Sequence, residues 1–73
     1  MSTLKVGIIG CGTIFPMHAE SLRRIPGVKI AAVCDIKEGR ARAAAKKYGC
    51  KYYTDYRKML ALEGLDVVHV CTP

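Results

Sequence analysis

Apolar residues come along this chain in short blocks separated by polar, glycine or proline breaks, and their period changes from block to block. Leu4 to Ile9 is almost continuously apolar, the pattern of a parallel strand covered on both faces. From Thr13 to about Ile25 the apolar residues Ile14, Met17, Leu22 (beside Ser21) and Ile25 fall at helical spacing, with Pro16 in the first turn, where a missing N–H costs little. Pro26-Gly27 stops that helix. Val28 to Cys34 predicts a second strand, with Val28, Ile30, Ala32 and Cys34 alternating with Lys29, Ala31 and Val33. Lys37 to Tyr48, rich in alanine and long basic residues, predicts a second helix ended by Gly49. A short third strand is expected over Lys51 to Tyr53. Thr54 or Asp55 then caps a third helix running to about Leu62, which Gly64 ends. Asp66 to Cys71 predicts the fourth strand, followed by Thr72-Pro73.

Strands alternating with helices over short loops predict a parallel sheet with right-handed crossovers. The fold class expected is therefore α/β: a partial Rossmann (doubly wound) fold with strand order 3-2-1-4, the first two helices on one face and the third on the other. Residues 1–73 make a single small domain, expected to be a truncated dinucleotide-binding unit without a second, substrate domain. A chain of this size buries only roughly 60% of the surface it exposes when unfolded.

The first strand runs into Gly10-Cys11-Gly12-Thr13-Ile14-Phe15, and Asp35 stands at the end of the second strand, 23 residues after Gly12. Gly10 permits the tight turn, and Gly12 lets backbone approach a pyrophosphate. The N–H groups of Thr13, Ile14 and Phe15 then point at the anion, aided by the helix dipole. Phe15 occupies the third position of the Gly-x-Gly-x-x-Gly fingerprint, where close helix–strand packing favours glycine, so it must pack elsewhere or push the helix outward. Asp35 suits the ribose hydroxyls of an adenosine and would repel a 2′-phosphate, which favours NAD over NADP; Lys37 and Arg40 nearby soften that exclusion. Asp35 could instead, or also, cap the helix that follows it.

The formal charge is +6. Because the basic residues are spread along two helices, they point to attraction for anionic ligands and not to a nucleic-acid partner. Apolar runs are too short to span a bilayer and no signal peptide is visible, so neither membrane nor export is expected. Cys11, Cys34, Cys50 and Cys71 lack metal-ligand or Cys-x-x-Cys spacing and are expected to be reduced thiols of a cytoplasmic protein, with no metal bound. Tyr48, Tyr52, Tyr53 and Tyr56 are expected to cover the end of the core, not to stack bases.

With these residues in view the chain resembles the N-terminal part of the Gfo/Idh/MocA oxidoreductase family. The likeness rests on Val6 to Ile14 followed by His18, on Ala32 to Asp35, on Tyr53 to Tyr56, and on Asp66 to Pro73 with its Thr-Pro ending. It implies a nicotinamide dinucleotide held by Gly10, Gly12, Thr13 and Ile14 at the pyrophosphate, Asp35 at the ribose, and Cys71, Thr72 and Pro73 along the cleft. It also implies a parent enzyme moving hydride to or from a sugar, inositol or related alcohol. The family's catalytic lysine, in a Glu-Lys-Pro motif, would lie beyond Pro73, so no catalytic residue is assigned and the 73 residues alone are expected to be inert. The alternative is a non-catalytic module that senses a nucleotide or associates.

Two histidines stand outside this scheme. His18 could face the cofactor, though a structural role fits a helix histidine better. His69 reads as a strand residue and not a ligand. The fourth strand is expected to expose a pairing edge, Val67-Val68-His69-Val70, through which the chain forms a homo-oligomer.

Overall fold

The computed structural model describes residues 3–12, 15–61 and 64–71. Four parallel strands, β1 (Leu4–Ile9), β2 (Val28–Cys34), β3 (Lys51–Tyr53) and β4 (Val67–Val70), form one sheet in the order β3-β2-β1-β4. Three helices, α1 (Phe15–Arg23), α2 (Glu38–Tyr48) and α3 (Tyr56–Leu60), make the crossovers. This is the expected Rossmann-type arrangement. The helices are shorter than the sequence pattern suggests, and the expected start of the first helix at Thr13 and Ile14 lies outside the described residues, as does Leu62 at the end of the third.

The sheet has two unequal faces. Val6, Ile8, Ile30 and Val33 point to the face covered by Phe15 and Ala19 of α1 and by Ala44 and Ala45 of α2. Ala32 and Cys34 point the other way, against Met59 of α3, with Ile9, Tyr53 and Leu65 beside them. The small α2 alanines let that helix lie close on the sheet. It ends as expected at Gly49, whose left-handed φ of 64° lets its N–H return to the Ala45 carbonyl.

In two places the residue pattern misleads. Alternation puts Val28, Ile30, Ala32 and Cys34 on one face of β2. The register slips instead: Val6 pairs with Ile30 but Gly7 pairs with Ala32, leaving Ala31 as an extra residue. The bulge reverses the phase, so Ile30 and Val33 share the α1–α2 face while Ala32 and Cys34 face α3. The second correction is in α1. Met17 is 70% exposed and Ile25 lies exposed past the helix, whereas Phe15 and Ala19 are buried and Leu22 packs beside them. Among the described residues the buried stripe is set by Phe15 and Ala19, not by Met17.

Phe15 resolves the problem posed by a large side chain at the third fingerprint position. It is almost fully buried and meets Tyr48 of α2 edge-to-face, the ring centroids 5.7 Å apart at 79°. The ring thus fills the seam between α1, α2 and the sheet. Tyr48 in turn donates its hydroxyl to Glu20 Oε1 (3.3 Å), which also meets Lys47 (3.9 Å), while Glu20 Oε2 pairs with Arg23 (3.3 Å). These exposed pairs orient the helices more than they stabilise them.

Removing the Phe15 ring should open a cavity in that seam. Phe15→Ala is expected to cost about 3–5 kcal/mol in urea denaturation, a large share of the stability of so small a domain, and Phe15→Leu markedly less.

Candidate functional site

The carboxyl ends of β1 and β2 meet at a turn held by backbone groups. Gly10 has φ 98°, a left-handed conformation that a side chain would strain. Its N–H donates to the Cys34 carbonyl at 2.7 Å, and the N–H of Asp35 donates to the Tyr53 carbonyl at 3.1 Å. The end of each strand is thereby tied to its neighbour, and Asp35 is fixed beside the glycine turn.

Asp35 is the one buried charged residue among those described, 9% exposed. Its Oδ2 accepts from the Cys11 N–H and its Oδ1 from the Lys37 N–H, both at 2.8 Å. Burial alone would raise the carboxyl pKa. The two amide donors, with the Arg40 and Lys37 cations, outweigh it and hold the pKa below the ordinary value. Asp35 does not cap α2 in the usual sense: the N-cap position belongs to Lys37, which makes no side-chain cap. The carboxylate instead clamps the glycine turn to the loop before α2. Each oxygen uses one amide, and an ionised carboxylate has further acceptor sites for a ligand hydroxyl.

Cys11 lies inside the turn. Burial first, then the Asp35 charge and the neighbouring thiols, push its pKa up to about 12, so it stays protonated at neutral pH. Its thiol points at the Cys34 carbonyl, 3.6 Å away. Cys11, Cys34, Cys50 and Cys71 are all free thiols.

Gly10 and Asp35 open on a cleft of about 480 Å³, whose other walls are Ile9, Cys34, Ile36 and the segment Thr54 to Arg57. Ile36 is 87% exposed at its mouth. Arg57 is held there by Asp55, which accepts from its Nε and Nη2, both at 3.1 Å, and from its backbone N–H at 3.0 Å. That pairing, led by the side-chain bond, lowers the Asp55 pKa. A Cβ placed on Gly12 would lie 3.6 Å from Arg40 Nη1, so α2 presents a guanidinium to the glycine turn.

The structure thus brings Gly10, Gly12 and Asp35 together. Thr13, Ile14, Thr72 and Pro73 lie outside the described residues. The Phe15 N–H, expected to be free for an anion, donates to the Gly12 carbonyl at 3.2 Å. Cys71 lies on the α1 side of the sheet with Val6, Ile8 and Phe15, and is not among the residues lining this cleft. The motif reading put Arg40 near the acid but missed its approach to Gly12, and it missed the Ile36, Tyr56 and Arg57 walls. Only the position of Ile36, an apolar residue directly after the acid, carried a signal.

Residues 4–73 match the Gfo/Idh/MocA family, an oxidoreductase family with an NAD-binding Rossmann fold. The chain is 38% identical over 71 residues to the oxidoreductase YrbE of Bacillus subtilis, covering 96% of this chain and 21% of that protein. It is 44% identical over 69 residues to an inositol 2-dehydrogenase of Salmonella typhimurium, covering 90% of this chain and 20% of that one. The myo-inositol dehydrogenase of Lactobacillus casei, solved with NAD(H) and myo-inositol, superposes with a TM-score of 0.87 at 32% identity, over 96% of this chain and 22% of its own. The chain therefore spans about a fifth of the length of these relatives. Among the described residues, no helix is long and apolar enough to cross a membrane.

The clamp has a pH signature. In Asp35→Asn one amide donor faces an NH₂ group instead of an oxygen, an expected loss of roughly 1–3 kcal/mol at neutral pH. Because the folded-state pKa is depressed, the wild-type advantage is full above the unfolded value of about 4 and is lost as pH falls through the folded pKa. Thermal melts of both proteins at pH 7 and pH 3 should show the gap closing at the lower pH.

Proposed function

The chain belongs to the Gfo/Idh/MocA oxidoreductase family, and from that premise we propose that its glycine turn and Asp35 hold a nicotinamide dinucleotide, NAD in preference to NADP. The observation that carries this reading is the shared cleft, in which Asp35 and the turn at Gly10 stand within one cavity large enough for an adenosine. In this reading Asp35 takes the ribose hydroxyls on its remaining acceptor sites, and exposed Ile36 offers an apolar surface to the adenine. The pyrophosphate lies over Gly12 against the N–H groups of Thr13 and Ile14, with Arg40 supplying charge from α2. Cys71, whose N–H donates to the Ile9 carbonyl at 2.8 Å, leads into Thr72 and Pro73, and the family resemblance assigns these three to the nicotinamide end of the cofactor path, outside the walls of the cleft described above.

The residues contribute binding and orientation. The bound nicotinamide would supply the hydride chemistry, acting on a sugar, inositol or related alcohol in a protein as long as the relatives. No catalytic residue is assigned within 1–73, and this length alone is proposed to be inert. Its proposed location is the cytoplasm.

Asp35→Ala is a poor test because it also breaks the clamp that shapes the turn. Gly12→Ala is cleaner. Gly12 is not among the glycines with positive φ, and its added Cβ meets Arg40 only at an ordinary 3.6 Å. Calorimetric titration should show NAD binding at least about tenfold tighter than NADP, with Gly12→Ala keeping its melting temperature while losing at least about tenfold in NAD affinity, a 1.4 kcal/mol effect. Unchanged affinity in a folded Gly12→Ala chain would leave Gly12 with a turn-forming role only.

A second reading concerns assembly. Among the described residues no strand pairs with the outer edge of β4, and Val67, Val68 and Val70 are exposed. We propose that the 73-residue chain forms homo-oligomers through this edge. Light scattering over a concentration series should show the mass rising above 8.0 kDa. A constant monomer mass would remove this reading without touching the cofactor proposal.

A further inference from the structure

Among the described residues, one cluster of ligand-bearing side chains lies outside the cleft, and of its members only Cys71 enters the reading above, through its place in the chain and not through its thiol. His18 of α1, His69 of β4 and Cys71, one residue past β4, each bring a donor atom within 4.8 Å of the other two. We propose that these three side chains bind one thiophilic divalent cation of the zinc class, which would clip α1 to β4.

The placement follows from the fold. His69 pairs with Ile8, whose side chain faces α1, and Cys71 is two residues further along, so both point to the same side of the sheet. His18 lies one turn into α1, beside the buried Phe15 and Ala19, and therefore stands over them. The two rings are tilted by 48° with centroids 4.9 Å apart, and His69 Nε2 approaches His18 Nδ1 to 3.1 Å. Two nitrogens at that separation can both reach one ion at ~2.0–2.1 Å, with an angle of about 100° at the metal. The Cys71 sulfur would need to close by at most about 1.3 Å to complete the set, within the range of a side-chain torsion.

Donor chemistry selects the ion. Two imidazoles and a thiol suit zinc or cobalt(II), whereas magnesium and calcium take oxygen donors. Cys71 binds as the thiolate and releases its proton to solvent. Three protein ligands leave a fourth position for water. A histidine–histidine hydrogen bond alone would account for the two nitrogens but gives the converging thiol no role.

The test is a cobalt(II) titration of the reduced, full 73-residue chain under anaerobic conditions. The expected result is a single equivalent bound, with a thiolate-to-cobalt charge-transfer band in the near ultraviolet and visible bands of four-coordinate intensity, displaced by zinc. Cys71→Ser should lose the charge-transfer band, and His18→Gln and His69→Gln should each weaken binding at least about tenfold. Cys50→Ser, a free thiol elsewhere, should leave the titration unchanged. If Cys71→Ser fails to fold by circular dichroism, the deciding measurement is the zinc-induced rise in melting temperature, expected to be several degrees in the parent and absent in His18→Gln. Absence of a charge-transfer band in the parent, its survival in Cys71→Ser, or equal affinity in the histidine variants would overturn the site. Dinucleotide affinity is read separately, so failure of either proposal is distinguishable from failure of the other.

Discussion

The local order of this domain depends on a buried carboxylate that would be unfavourable there alone. Taking an ionised aspartate out of water costs several kcal/mol unless donors replace the lost hydration. At Asp35 the replacement is two main-chain N–H groups at 2.8 Å, one from each of the loops that meet there, with the Arg40 and Lys37 charges behind them. Because the donors are backbone, the bond fixes chain path and not merely side-chain orientation. The turn after β1 and the loop after β2 are locked to one point, and the cleft between them inherits its shape from that lock.

This double duty explains why the candidate site was only partly legible in the residues. Gly10, Gly12 and Asp35 announce themselves because turn geometry and charge restrict residue type so strongly. The clamp itself does not, since Cys11 and Lys37 contribute only main-chain amides, which any residue other than proline could supply. The strands were legible almost to the residue, being short apolar blocks between clear breaks. The phase of β2 was not: one inserted residue at Ala31 leaves composition unchanged and reverses which side chains face α3. In α1 the apolar spacing pointed to a stripe through Met17 and Ile25, which are exposed, and the buried side runs through Phe15, whose contact with Tyr48 of a separate helix the spacing does not show. The His18–His69 pairing joins residues 51 apart and depends on which face β4 presents, so neither histidine signals it alone.

The two faces of the sheet divide the work. The face under α1 and α2 holds most of the apolar core, while the face under the five-residue α3 rests largely on Met59, which is fully buried. Gly7 makes this possible. A Cβ there would stand 3.1 Å from both Met59 Cε and Leu65 Cδ1, closer than ordinary packing. The glycine in β1 therefore serves interior packing, in contrast to Gly10, whose backbone angle forms the turn. Two glycines three residues apart thus answer to two different constraints, interior packing at Gly7 and turn geometry at Gly10.

Charge placement completes the argument. A net charge of +6 on so small a domain repels itself, and the repulsion is limited because the cations are spread over exposed positions of helices, strands and loops. Where charge is concentrated, it has an anionic counterpart: Arg40 and Lys37 act on Asp35, Arg57 on Asp55, and Arg23 and Lys47 on Glu20. Around Asp35 the balance is two cations to one buried anion, a local excess beside a turn built of glycine. In the proposed reading an incoming diphosphate would meet that excess, whereas a phosphate on the adenosine ribose would have to share space with the carboxylate. The same few residues would then attract the dinucleotide and favour its unphosphorylated ribose, with Arg40 close enough to limit how strict that preference is.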